Sequence, residues 1–189
     1  AVASQQELYD HYCAVAAHVD TPIVLYNIPA RTGNKLLPET VCRLAKDVEV
    51  IKGAKDSSGD WENLKAYIQL TKDLDFSVLS GNDSLILPAL KEGGVGGIAG
   101  CSNVYPKVLS SIYELFQEGK LDEAQAAQDS IASFRAVFKY GNPNTVVKTA
   151  VAMLGYNVGK CRAPFNQLPQ EGLEALEKVL QENKDKGMC

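Results

Sequence analysis

Histidine is nearly missing from this sequence, and cysteine occurs without the spacings that make it useful to a metal. The only histidines, His11 and His18, share one early stretch with no paired metal motif, and read as surface or helix-packing residues. The five cysteines (Cys13, Cys42, Cys101, Cys161 and Cys189) are scattered, odd in number and free of any CxxC pair. That pattern argues against a zinc site and a disulfide framework, and for reduced thiols in a cytoplasmic protein. Basic excess is absent too: the net charge of −4 leaves no footprint for nucleic acid. No apolar run approaches the roughly 18 residues of a membrane span. Nor does a charged-then-apolar leader open the sequence, so no membrane partner is expected. What remains is a chain of 189 residues, 46% hydrophobic, able to bury a substantial core.

The apolar pattern alternates between two periods. Leu8, Tyr9, Tyr12, Val15 and Ala16 predict a helix over 5–19, with Ser4 as its N-cap. Thr21-Pro22 stops it, and the nearly all-apolar run 23–28 predicts a strand buried on both faces, as in a parallel sheet. A turn at 29–33, a helix over 38–46 opened by Pro38 and a second strand over 50–55 follow. Beyond these the pattern predicts a helix over 61–72, a strand over 76–80, a helix over 85–91, a glycine-loaded strand over 93–100 and a helix over 106–117. After Gly119 only helices are expected, at 121–138, 145–154 and 171–182, before a polar tail.

Four strand–helix units in succession imply an α/β fold with parallel strands and right-handed crossovers. Four parallel strands do not close a barrel, which takes eight and typically about 250 residues. An open sheet of this kind leaves two edges and much of one face uncovered, so a missing N-terminal half, a second copy or another covering layer is expected, and the uncovered edges favour self-association.

Lys55 stands where such a sheet keeps its chemistry, just past the carboxyl end of a strand. Strand alternation puts it on one side with Gly53 and Ile51. Apolar, small neighbours favour the free amine and make it nucleophilic. A solvated loop lysine is the alternative for any single lysine of the chain.

Two segments carry a resemblance that decides between them: Tyr26-Asn27-Ile28-Pro29-Ala30-Arg31-Thr32-Gly33 and Gly53-Ala54-Lys55-Asp56-Ser57-Ser58-Gly59. Together they resemble the dihydrodipicolinate synthase / N-acetylneuraminate lyase superfamily, class I aldolase-type enzymes on a (β/α)8 TIM barrel with extra C-terminal helices. Leu79-Ser80-Gly81-Asn82-Asp83, Gly96-Gly97-Ile98, Asn103 and Gly141-Asn142-Pro143 fit the same pattern. The resemblance implies that 1–118 is a partial barrel, the last four strand–helix units, and that 119–189 is a three-helix extension. It makes Lys55 the Schiff-base lysine that condenses with pyruvate, and Tyr26 the phenol that shuttles protons. Arg31 matches an arginine directed at a substrate carboxylate, which a bidentate guanidinium suits. Arg31 also favours the synthase branch, in which pyruvate meets aspartate semialdehyde in lysine biosynthesis. Ile98 matches a residue whose carbonyl lies near pyruvate. Asn82 and Asp83 face the second substrate or cap the helix that follows. No metal or organic cofactor is implied, because the imine is itself the electron sink.

The first four strand–helix units of the family have no counterpart in this sequence. In the family they carry the hydroxyl residues that hold the pyruvate carboxylate and a second tyrosine of the proton relay. Aldolases of 2-keto-3-deoxy sugar acids and N-acetylneuraminate lyase are therefore kept as alternatives, as is a non-catalytic half-barrel that serves as an assembly or binding module. A phosphate cradle at 93–100 is a third reading, but the segment lacks the lysine and hydroxyl of a P-loop.

Overall fold

The computed structural model describes residues 1–165 and 167–188; Cys189 lies outside them. In chain order it begins with helix α1 (Gln5–Ala16), strand β1 (Ile23–Asn27), and helices α2 (Pro29–Thr32) and α3 (Pro38–Asp47). Strand β2 (Ile51–Asp56), helix α4 (Trp61–Thr71), strand β3 (Ser77–Ser80), helix α5 (Ile86–Lys91) and strand β4 (Gly96–Gly97) follow. Helices α6 (Pro106–Gln117), α7 (Leu121–Ser130), α8 (Ala132–Ala136), α9 (Pro143–Met153) and α10 (Gln170–Asp185) complete it. The chain divides into two compact units, Ala1–Ile98 and Ala99–Cys189.

In the first unit the four strands pair in parallel in the order β1-β2-β3-β4. Leu25, Ala54 and Val78 point from one face into a core with Val41, Leu44, Leu64, Tyr67 and Ile68, which α3 and α4 supply. The other face is open. Val24 is 48% exposed and Tyr26 47% exposed, so β1 is buried on one face rather than the expected two. The apolar run was that of a strand with two covered faces, but the described helices of the first unit pack on one face only.

Local departures from the expected elements have local causes. The first helix stops at Ala16 instead of 19, because His18 N–H already turns back to Val15 rather than to Ala14. Its start is as expected: the Ser4 hydroxyl accepts from Glu7 N–H while the Glu7 carboxylate accepts from Ser4 N–H, a reciprocal capping box. The turn at 29–33 tightens into the single helical turn α2, opened by Pro29 and closed by Gly33 in the left-handed region at φ +70°. Only Gly96–Gly97 of the glycine-loaded strand pairs as a strand, flanked by Val95 N–H to Val78 O and Ile98 N–H to Ser80 O. A Cβ on Gly97 would come within 2.7 Å of Ile86 Cγ1, so this glycine lets strand and helix approach closely.

The second unit is all helical. Tyr105 and Phe134 meet edge-on with centroids 5.3 Å apart, and Asn183 Nδ2 donates to the Tyr105 hydroxyl at 2.9 Å. The helix expected over 121–138 is broken after Ser130, whose hydroxyl donates to the Ala127 carbonyl, and ends as a 3-10 turn over Val137–Tyr140. The last helix runs further than expected, to Asp185.

Gly53 sets the distance between β2 and β3: a Cβ there would lie 2.6 Å from the Ser77 carbonyl oxygen. Gly53→Ala is expected to destabilise the chain by about 1–3 kcal/mol, because backbone rather than a mobile side chain must give way. Urea unfolding followed by far-ultraviolet circular dichroism measures it, and an unchanged midpoint contradicts this account of the strand spacing.

Candidate active site

The carboxyl ends of β1 and β2 are locked together by polar groups on the covered face of the sheet. Asn27 and Asp56 are register partners, both about 2% exposed. Asp56 Oδ1 accepts from Asn27 Nδ2 at 2.7 Å and from Ser58 N–H at 3.1 Å. Its Oδ2 accepts from the Ser58 hydroxyl at 2.8 Å and from Asn63 Nδ2 at 3.3 Å. Asn27 extends the network by accepting Leu36 N–H at its side chain and Ser57 N–H at its backbone. A buried carboxylate without a cation is costly unless its lone pairs are filled. Four donors fill them here.

One residue earlier on each strand, the side chains turn to the open face. Tyr26 and Lys55 are register partners, and the Lys55 Nζ stands 4.2 Å from the centre of the Tyr26 ring. Burial by itself would raise the Tyr26 phenol. The Ser57 hydroxyl, the Lys55 amine and the positive charges of Lys55 and Arg31 outweigh it and bring the phenol below its ordinary value. Arg31, carried by α2, thus joins the same electrostatic group as Tyr26 and Lys55.

The surroundings of Lys55 differ from those expected in one respect. Ile51 lies in the helix-side core with Leu25 and Ala54, not on the lysine's side. The register slips between Ile23 and Val24, which pair with Ile51 and Gly53, so that Lys52 is the extra residue of a bulge. Gly53 alone keeps the expected relation. Just past β3 the next requirement is Gly81, where a Cβ would fall 1.9 Å from Ser57 Oγ and 2.8 Å from Lys55 Cε. Only glycine leaves both side chains their room.

Ile98 is 49% exposed, and its N–H is engaged by the Ser80 carbonyl at 2.8 Å. Asn82 acts as a cap: its Oδ1 accepts from Ser84 N–H at 3.1 Å and from the Ser84 hydroxyl at 2.8 Å. Asp83 is buried in the turn that follows. Asn103 and Asn142 belong to the other unit. Among the described residues no three His, Cys, Asp or Glu side chains converge on a point where a metal would sit, and no helix is long and apolar enough to cross a membrane.

Asn27, Asp56, Ser57, Ser58, Asn63 and Gly81 were not singled out from the sequence as site residues. Asn27 does carry a signal, since it is the one strongly polar residue in the apolar run 23–28.

A parallel sheet with helices on one face and short connections between strand and helix is the architecture of a βα-barrel segment. A family model of the dihydrodipicolinate synthetase family matches residues 2–183, and the chain belongs to that family. A 4-hydroxy-tetrahydrodipicolinate synthase from Methanospirillum hungatei is 39% identical over 174 residues, which are 92% of this chain and 59% of that protein. Among solved structures, dihydrodipicolinate synthase from Thermotoga maritima superposes with a TM-score of 0.91 at 30% identity, over 96% of this chain and 62% of the other. A prophage protein of the dihydrodipicolinic acid synthase family from E. coli K12, crystallised with pyruvate, gives 0.88 at 26% identity, over 99% of this chain and 63% of its own. The chain thus spans about three fifths of the length of the relatives it matches.

Asp56→Ala is expected to leave the donors of Asn27, Ser58 and Asn63 buried and unpaired, at a cost of about 2–4 kcal/mol. Differential scanning calorimetry should show the melting temperature falling by on the order of 10 °C. A shift within error would mean that the carboxylate does not hold the strand ends.

Proposed function

We propose that this chain carries the imine-forming part of a pyruvate-dependent synthase, most like 4-hydroxy-tetrahydrodipicolinate synthase, which joins pyruvate to aspartate semialdehyde. The observation that carries the reading is the Lys55 amine set 4.2 Å from the Tyr26 ring at the carboxyl edge of the sheet. The names of relatives at 35–41% identity support the substrate class.

In this reading the uncharged Lys55 amine attacks the keto carbon of pyruvate to give a carbinolamine. Tyr26 supplies the proton with which the hydroxyl leaves as water, and a protonated imine remains. The same phenolate then removes a methyl proton, and the electron pair moves into the imine to make an enamine. The enamine carbon adds to the aldehyde, whose oxygen takes up a proton. A phenol held below its ordinary value by Ser57, Lys55 and Arg31 is suited to shuttle in both directions near neutral pH. Arg31 pairs with the carboxylate of the second substrate, as its fork geometry favours. Ile98 offers its carbonyl, because its N–H is taken by Ser80. Asn82 offers its amide nitrogen, since its oxygen caps the turn.

The open face, with Val24 and Tyr26 exposed, favours self-association as part of the same proposal. A second copy, or a partner that covers this face, would exclude water from the imine.

Incubation with pyruvate and sodium borohydride should fix one reduced adduct on Lys55, located by peptide mass spectrometry. Lys55→Arg should abolish it, and Tyr26→Phe should slow it on the order of 100-fold. A chain that stays unlabelled at saturating pyruvate is not an imine-forming enzyme. Light scattering after size exclusion tests association, and a monomer at every concentration rules against it.

A further inference from the structure

Arg31 is exposed, and its guanidinium takes no hydrogen bond or ion pair from the described residues, so the backbone beneath it decides where it stands. That backbone is the single turn α2, closed by Arg31 N–H and Thr32 N–H to the Ile28 carbonyl and by Gly33 N–H to the Pro29 carbonyl. One isolated turn does not hold itself, because its few hydrogen bonds do not offset the cost of fixing its dihedrals. The surrounding chain supplies the rest. Asn27 Oδ1 accepts Leu36 N–H at 3.0 Å and closes the base of the loop, while the Lys35 amine pairs with Asp60 at 3.0 Å. Asn34 secures the turn itself. Its Nδ2 donates to the Thr32 carbonyl at 3.3 Å and the Ala1 carbonyl at 3.2 Å, and its Oδ1 accepts from Ala3 N–H at 2.7 Å. The Thr32 hydroxyl lies 3.0 Å from the Asn34 carbonyl and accepts from Asn34 N–H at 3.2 Å. Gln5 grips the start of α3: its Nε2 donates to the Lys35 carbonyl at 2.7 Å, and its Oε1 accepts from Leu37 N–H at 3.0 Å and the Thr40 hydroxyl at 2.6 Å. Two amide side chains, each using both donor and acceptor, thus lace the segment leading into α1 to the loop that carries Arg31.

We propose that Asn34 and Gln5 are positioning residues: they clasp the Arg31 turn to the segment 1–5 and so fix where the guanidinium meets the carboxylate of the second substrate. This rests on the imine-forming reading of the site, and it adds a control over the aldehyde that is separate from Lys55. An arginine on a loose turn binds a carboxylate only after the turn is ordered, and that ordering weakens binding. Chemistry at the imine is untouched. The loss therefore falls on KM for the aldehyde and not on kcat.

The test reads the turn without ligand and then with substrates. Amide exchange at Arg31, Thr32 and Gly33, followed by nuclear magnetic resonance, reports the opening of α2. Asn34→Ala should speed it roughly tenfold, the value of one hydrogen bond, while the amides of β2 keep their parent rates. In both Asn34→Ala and Gln5→Ala, KM for aspartate semialdehyde should rise about tenfold, with kcat and borohydride trapping of pyruvate within about twofold of the parent. Parent exchange rates in Asn34→Ala overturn the proposal, and so does an equal rise in the strands, which marks general loosening. An equal loss of pyruvate trapping and aldehyde affinity overturns it as well, as does a parent chain that traps pyruvate without consuming the aldehyde. If the parent traps no pyruvate, the imine-forming reading falls, and the ligand-free exchange still decides whether Asn34 holds the turn.

Discussion

The structure depends on one buried carboxylate. Asp56 sits 2% exposed at the end of β2, and each of its oxygens accepts two hydrogen bonds. Through Asn27 it ties β1 to β2, through Ser58 it shapes the turn, and through Asn63 it anchors the start of α4. Because all its donors lie in the fold and none is a cation, its charge is satisfied only when all three elements are in place. The exposed pair on the opposite face inherits this rigidity. Tyr26 precedes Asn27 and Lys55 precedes Asp56, so locking the second pair by register and hydrogen bond fixes the backbone from which the first pair projects. A site held by strand ends is more sharply defined than one built on loops.

Much of this was legible before any coordinates. The two periods of the apolar pattern placed four strands and the helices between them, because burial on one layer leaves a periodic trace. Lys55 and Tyr26 were picked out by their place at strand ends and by the motifs around them. Ile98 rests on the resemblance alone, because side-chain chemistry says nothing of a backbone carbonyl. The remaining features were hidden for identifiable reasons. A strand with one face open reads like a strand with two faces covered when its exposed residues are themselves apolar, as Val24 and Tyr26 are. Asn27 lay within a predicted strand and Asp56 just after one, but a buried polar pair is defined by its partners, and these lie 29 residues apart. The need for glycine at position 81 is invisible without the neighbours that crowd it.

The open face and the short span belong together. Relatives of the chain are longer by the amount that leaves the match at about three fifths of their length, while the match itself covers more than nine tenths of this chain. Fold and local geometry are nonetheless kept: the superposition on the Thermotoga maritima protein reaches 0.91.

The bulge at Lys52 has a wider meaning than a local irregularity. A strand counts its residues in twos, and Ile51 and Lys55, four apart, would ordinarily look the same way. By inserting one residue out of phase, the bulge lets the strand begin with Ile51 inward and carry Lys55 outward near its end. It works as a half-step in a two-beat rhythm, so that the core and the open face read the same strand on opposite beats. A change of length at this point carries more than a change of side chain would, because it resets the phase of everything downstream.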